Sequence, residues 1–334
     1  MGSLRALRVY EEDGKVSARL VDLDSAELSD GEVLIRAEWS GLNYKDALTV
    51  TGTVRIMQSV PLNAGIDVAG TVEHSQDSRY RAGDKVLVTG CGLGEQKDGG
   101  YAELVRVPGD WVIPLPDGFD SRRAMAIGTA GFTAGMAMLR MEHNGQSAFR
   151  GPLLVNGASG GVGSFAVRLF SRAGYSVTAV TGKRDAYEYL RALGAETVLD
   201  AAELDFSSDA GPLGRAQWGG AVDNLGGDAL AWLIRTVRPW GNVAAVGLAA
   251  GMQLESTVMP FLLRGVSLLG VNSVHCAREL RVAVWDRIGE LLNPDDCDTI
   301  VSEEIDLSAV LDRAADMLAR KIRGRVLVRL AAGR

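Results

Sequence analysis

The sequence predicts an α/β protein in which a β-rich segment precedes a doubly wound parallel sheet, and three observations carry that expectation. From about residue 125 to residue 272, short apolar runs alternate with helical patterns: "LLVN", "SVTAVT", "TVLD", "AVDN" and "NVAAVG". Continuous apolar runs of this length are what strands buried on both faces of a parallel sheet require. A glycine-rich loop joins the first of these strands to the first helix. Before residue 124 the rhythm differs: "EVLIRAEWSGLN", "AGTVEHS" and "GDKVLVTG" are extended runs separated by Gly, Asp, Asn and Ser turns.

Taken in order, the 334 residues allow about two domains. The opening segment lacks an apolar run of signal-peptide length, and no later run reaches the ~18 apolar residues of a membrane span. The formal net charge of -7 gives no global attraction for nucleic acid or an anionic membrane, so neither is expected as a partner. Cys91, Cys276 and Cys297 are scattered and odd in number, which suits a reducing cytoplasm and not a disulfide framework. "VPGDWVIPLPDGFDSRRAMAIG" concentrates turn residues before a small-residue helical pattern near Ser121, placing a boundary near residue 124. Past it, Val162, Ala166, Leu169, Phe170 and Ala173 form one apolar helical stripe. The alternation stops after "SLLGVNS"; helical patterns near 278–292 and 307–321 and the strand "GRVLVRL" are expected to return to the first domain.

The loop within "LLVNGASGGVGSFAVRLF" spaces Gly157, Gly160 and Gly163 as G-x-x-G-x-x-G, with Ser159, Gly161 and Val162 between them. Glycine lets backbone approach a pyrophosphate, and the following helix offers unpaired N–H groups at its positive end. A strand before it and a helix after it are the context a dinucleotide site requires. The second strand then ends in Thr181, Gly182, Lys183 and Arg184, without the carboxylate that usually holds the ribose hydroxyls of NAD; Asp185 comes later, inside the next helical pattern. The basic pair suits the 2′-phosphate of NADPH; the alternative is a solvated helix start.

With these residues in place, the chain resembles the medium-chain dehydrogenase/reductase superfamily, in particular its zinc-free branch of YhdH-type quinone oxidoreductases and acrylyl-CoA reductases. The resemblance rests on "GLNYKDALTVTG", "GIDVAGTV", "GDKVLVTGCGLGE", "GGYAELVRVPGDWVIPLP", "AMAIGTAGFTA", "NGASGGVGSFAV", "AVTGKR", "STVMPFLLRGVSLLGVNSV" and the terminal "GRVLV". It implies a GroES-like catalytic domain, split between 1–124 and 273–334, around a Rossmann nucleotide-binding domain at 125–272. It places Tyr44, the Ser159–Val162 loop, Thr181–Arg184, Leu248 and Ser273 at the cofactor. The implied activity is NADPH-dependent reduction of a carbon–carbon double bond conjugated to a carbonyl, with acryloyl-CoA the leading substrate. A quinone or enone reductase without CoA recognition, and a non-catalytic NADPH-binding protein, are the alternatives. By analogy the apolar "SLLGVNSV" edge is expected to pair in a homodimer. Gln58, Cys91 and His275 depart from the family pattern, and all three border the expected substrate cleft.

Zinc is not expected. Where zinc-dependent relatives carry a Cys and a His, this chain reads Ser40-Gly41-Leu42-Asn43 and Gly65-Ile66-Asp67, while His74, His143 and His275 lie far apart. Without a metal, charge developing on a thioester oxygen must be met by hydrogen-bond donors, and one proton must reach the α-carbon. Tyr44 is the candidate proton donor or cofactor-positioning hydroxyl, with simple packing beside the cofactor as the alternative. Asn43 reads as a neutral donor to substrate or as a turn residue, and Lys45 and Asp46 as a local ion pair. Asp67 reads as a support for the first motif and Cys91 as a small buried hydrophobe.

Overall fold

The computed structural model describes residues 3–206 and 211–330. Residues 1–2, 207–210 and 331–334, which include the outer ends of both expected catalytic-domain segments, lie outside the described residues. The chain divides into two compact units: Met1–Thr129 with Ser273–Ala283 and Cys297–Arg334, and Ala130–Asn272 with Val284–Asp296.

The first unit opens with strands β1 (Ser3–Glu12) and β2 (Lys15–Asp24), an antiparallel hairpin. Its two-residue turn is Asp13-Gly14, with φ of 52° and 73°; positive φ at both positions is the turn whose twist matches that of the strands. Then follow β3 (Val33–Gly41), helix α1 (Tyr44–Val50), β4 (Leu62–Asn63), β5 (Asp67–Ser75), β6 (Lys85–Thr89), β7 (Leu104–Val107) and β8 (Ile113–Pro114). Helix α2 (Ser121–His143) comes next and kinks at Gly128, whose φ of 48° and ψ of -157° are not helical. The division of the chain falls at Thr129, just past this kink. The sequence places a boundary near residue 124 because the small-residue pattern runs through the kink without interruption.

The second unit carries β9 (Leu153–Val155), α3 (Gly161–Arg172), β10 (Val177–Thr181), α4 (Tyr187–Ala192), β11 (Thr197–Asp200), β12 (Trp218–Asp223), α5 (Gly227–Thr236), β13 (Val237–Ala245), α6 (Met259–Arg264) and β14 (Ser267–Gly270). Its six strands are parallel in the order β11-β10-β9-β12-β13-β14. The doubly wound sheet expected from the alternating pattern is therefore present, and its strand order reverses between β9 and β12. Open sheets of this kind take ligands at the carboxyl ends of the strands beside such a reversal. Leu154, Val180, Ala221, Leu233, Ile234 and Val243 form the core between sheet and helices.

The chain closes with α7 (Arg278–Leu291), α8 (Pro294–Ile300), β15 (Val301–Asp306), α9 (Val310–Leu318) and β16 (Arg325–Arg329). Strands β15 and β16 extend the first unit's larger sheet, ordered β15-β16-β3-β5-β6-β8, with β7 also paired to β3. Its core includes Val33, Ile35, Val68, Val86, Val105, Val326 and Val328. The sequence reading carries all of 273–334 with the first domain, whereas Val284–Asp296 clusters with the second unit. Side chains of α2 account for this. Trp285 stacks on Phe132 at 6.1 Å, and Arg287 pairs with Glu142 at 2.8 Å. Gly135 leaves room for Ile288, since a β-carbon there would come within 2.7 Å of its Cγ1. Among the described residues, no helix is long and apolar enough to cross a membrane.

Candidate functional site

The site residues named from the sequence fall on both units. In the second unit, β9 runs into the glycine loop and α3 begins at Gly161 with Gly160 as its cap. Two glycines are required by geometry. Gly157 has a φ of 55°, and a β-carbon on Gly163 would lie 2.3 Å from the Gly157 carbonyl, so the helix can pack against the loop only without a side chain. The first N–H groups of a helix have no intrahelical acceptor, which leaves the start of α3 with free donors at its positive end. The loop is pinned from both sides. Asn156 receives the Asn224 N–H at 2.6 Å on its side-chain oxygen, and the Asn224 side-chain amide donates to the Asn156 carbonyl at 2.7 Å. Asn156 also donates to Asp223, a buried carboxylate raised above its ordinary range by desolvation. These three residues bind the ends of β9 and β12 together at the reversal of strand order.

Ser159 and Thr181 hydroxyls are 3.0 Å apart, which joins the loop to the end of β10. Thr181 also accepts the Lys183 N–H at 3.1 Å. Among the described residues, none beyond its two chain neighbours lies within 4 Å of where a β-carbon on Gly182 would project. Arg184 pairs through Nε with Asp200 at the end of β11, at 3.0 Å. Leu248 is 60% exposed, and its Cα stands 3.2 Å from a β-carbon built on Gly226.

In the first unit, β3 delivers the chain into Asn43 and Tyr44 at the start of α1. Tyr44 is 47% exposed, and among the described residues its hydroxyl makes no hydrogen bond. Asn43 is buried and internally committed. Its side-chain amide donates to Asp67 at 2.8 Å and to Asp46 at 3.1 Å, while its oxygen accepts from Arg325 at 2.9 Å. The side chain that the sequence reading offers to substrate thus lies within an internal network. Asp46 accepts the Asn43 N–H at 2.9 Å and the Ile66 N–H at 3.0 Å, fixing the helix start onto the segment before β5. Burial, reinforced by the Asp67 carboxylate, pushes Asp46 up to about 7. Lys45 pairs with Glu95 at 2.8 Å. The expected Lys45–Asp46 pair is therefore absent: one side chain turns inward to cap the helix, and its neighbour points elsewhere.

Asp67 gathers the network, as its reading as a support requires. It accepts from the Thr129 N–H at 2.9 Å and the Thr129 hydroxyl at 2.6 Å, and lies 3.6 Å from Arg325. Arg325, 2% exposed, also donates to the carbonyls of Ala126 and Leu42, each at 3.0 Å, and Met125 at 3.3 Å. Sequence reasoning missed Arg325, although a cation opening the apolar strand "RVLV" is a signal that a buried anion awaits it. Ser273 is half-buried, its carbonyl accepting from Arg281 at 3.2 Å. The neighbouring Cys91 N–H donates to Val274 at 3.2 Å, and burial raises the Cys91 thiol, consistent with a packing role. Gln58 and His275 are exposed.

A β-rich sheet unit joined to a doubly wound nucleotide-binding sheet is the architecture of a two-domain dehydrogenase or reductase. Residues 29–117 match the alcohol dehydrogenase GroES-like domain, and residues 161–289 match the family described as zinc-binding dehydrogenase. An acrylyl-CoA reductase, AcuI, from Ruegeria pomeroyi is 43% identical over 95% of this chain and 96% of its own. The Bacillus subtilis protein YhfP, provisionally named a quinone oxidoreductase, is 43% identical over 98% of both chains. The crystal structure of the yhdH oxidoreductase from Salmonella enterica in complex with NADP superposes with a TM-score of 0.94 at 42% identity, covering 98% of this chain and 100% of that one. A crystal structure of YhfP carries NAD and matches equally, with a TM-score of 0.94 at 42% identity over 99% of this chain and 100% of that one. The chain belongs to the medium-chain dehydrogenase/reductase superfamily and is an oxidoreductase of that group.

Zinc, which one matched family description implies, does not fit the side chains present. Among the described residues no group of three or more His, Cys, Asp or Glu could hold a metal ion. The two carboxylates that do converge, Asp46 and Asp67, have their oxygens taken by Asn43, Ile66, Thr129 and Arg325. A dinucleotide does fit, because the glycine-lined start of α3 offers the backbone donors that a pyrophosphate needs and the end of β10 is open at Gly182.

Proposed function

We propose that this chain is an NADPH-dependent reductase acting on the carbon–carbon double bond of a short-chain 2-enoyl-CoA, with conversion of acryloyl-CoA to propanoyl-CoA as its reaction. The observation that carries the reading is the likeness, over nearly the whole of both chains, to a protein named acrylyl-CoA reductase. The cofactor choice is supported by Lys183 and Arg184 following β10 where a ribose-binding carboxylate is missing, and by the NADP-bound relative.

NADPH, when bound, supplies the hydride. Ser159, Gly160, Gly161, Val162 and Gly163 would hold its pyrophosphate, Thr181–Arg184 its 2′-phosphate, and Leu248 a further part of it. Addition at the β-carbon places negative charge on the thioester oxygen of the substrate, and the α-carbon must then receive a proton. Tyr44 is the donor we assign, because its side chain is half exposed and its hydroxyl makes no hydrogen bond among the described residues, while Asn43 before it is bonded to Asp46. Asn43, with its amide bound to two carboxylates, holds Tyr44 in place rather than touching substrate.

The working protein is proposed to be a cytoplasmic homodimer. Strand β14 is a sheet edge with β13 on one side only, and in the same unit Leu262 and Leu263 are 75% and 61% exposed. The reaction is tested by following NADPH consumption with acryloyl-CoA, with a quinone, and with no acceptor. Rapid consumption with acryloyl-CoA and formation of propanoyl-CoA are expected. Turnover with the quinone alone would instead establish a quinone reductase, and no turnover with either would leave a binding protein.

A further inference from the structure

We propose that Asp200 is a positioning residue for cofactor selectivity, anchoring Arg184 by its Nε so that the rest of the guanidinium is presented to the 2′-phosphate of NADPH. The inference rests on the NADPH reading above and adds a residue to it. Asp200 is the last residue of β11, paired in parallel register with Thr181 at the end of β10, so both stand at the same carboxyl edge of the sheet. Its side chain is only 7% exposed. One carboxylate oxygen accepts the Ala202 N–H at 3.0 Å and the other accepts Arg184 Nε at 3.0 Å. Those bonds hold the Asp200 carboxyl below its ordinary range, so it is a fixed anion at neutral pH.

Arg184 is the opposite kind of group. Its side chain is 79% exposed, and among the described residues Nη1 and Nη2 have no hydrogen-bond partner. A guanidinium is planar, so a bond at Nε to a fixed acceptor sets the plane and leaves the terminal donors as a fork suited to phosphate. An unanchored exposed arginine would have to be ordered by the ligand itself. Asp200 does not take the part of the ribose-binding carboxylate of NAD-specific folds, because it stands one strand further out and both of its oxygens are occupied.

Anchoring and charge act in opposite directions here, which makes the proposal decidable. A carboxylate beside a phosphate site repels the phosphate, so if charge dominated, removing Asp200 would tighten NADPH. If anchoring dominates, removal weakens it. NADPH and NADH are titrated onto the parent, Asp200→Ala, Asp200→Asn, Arg184→Ala and the Arg184→Ala/Asp200→Ala pair, each checked for an unchanged melting temperature.

Arg184→Ala is expected to weaken NADPH about tenfold and NADH little. Asp200→Ala should weaken NADPH roughly three- to fivefold, the scale of an exposed ion pair, and leave NADH unchanged. Asp200→Asn keeps one acceptor oxygen without the charge and should fall between Asp200→Ala and the parent, which keeps the test open if the alanine variant folds poorly. In the Arg184→Ala background, removing Asp200 should add nothing. Tighter NADPH binding in either Asp200 variant overturns the proposal, as do equal losses for both cofactors or an Asp200 effect that persists without Arg184. A parent that binds NADPH no better than NADH, with Arg184→Ala inert, overturns the cofactor reading itself and is recognisable as that separate failure.

Discussion

Arg325→Met removes the cation beneath the candidate catalytic helix while keeping an unbranched apolar stem. In the folded protein that guanidinium donates to three carbonyls and to Asn43, and sits 3.6 Å from Asp67. Removing one member of a buried ion pair costs about 3–5 kcal/mol, because the remaining charge loses its partner inside the protein. Asp67 keeps its bonds from Asn43 and Thr129, which sets the expectation at the lower end, about 3 kcal/mol. At roughly 2–4 °C per kcal/mol for a unit of this size, the melting midpoint should drop by about 6–12 °C. Adding Asp67→Asn should recover about 1 kcal/mol, since the charge to be compensated is gone. The assay is urea and thermal unfolding of the parent, both single variants and the double variant. A shift of less than about 1 kcal/mol for Arg325→Met, or strict additivity in the cycle, would refute the view that this pair holds the site.

Three further outcomes are expected. Tyr44→Phe should lower turnover about a hundredfold or more, the scale of losing a positioned proton donor in the transition state, with NADPH affinity nearly unchanged; parental turnover would reduce Tyr44 to a packing role. Asp46, raised from 3.8 to about 7, binds its proton more tightly in the folded chain than in the unfolded one, so its stabilising contribution is present at low pH and lost as pH rises through about 7. Asp46→Asn should accordingly gain on the parent in unfolding free energy from about pH 5 to about pH 8, and a pH-independent difference would contradict this. Light scattering at micromolar concentration should return twice the chain mass, and a monomeric mass would remove the dimer.

What the sequence made legible was local. The glycine spacing, the strand before it and the apolar stripe after it are written within "LLVNGASGGVGSFAVRLF", and β9 and α3 lie where that pattern puts them. Contacts between distant segments were not legible. Adjacency in sequence makes Lys45 the expected partner of Asp46, yet the Asp46 bonds go to Asn43 and Ile66, because capping a helix requires an inward carboxylate. Asp200 carried no mark of its pairing with Arg184, since the register of adjacent parallel strands is set by the crossover and not by local pattern. The second half of α7 clusters with the second unit through Trp285 and Ile288, and the only sequence trace of that packing is the glycine at 135.

The central claim is that hydride passes from NADPH to the β-carbon of an enoyl thioester. Its most direct test is a turnover of acryloyl-CoA with NADPH carrying deuterium at the transferable position, followed by analysis of the product. Propanoyl-CoA with one deuterium at C3 and a solvent-derived proton at C2 is expected. Unlabelled product, or deuterium at C2, would contradict it.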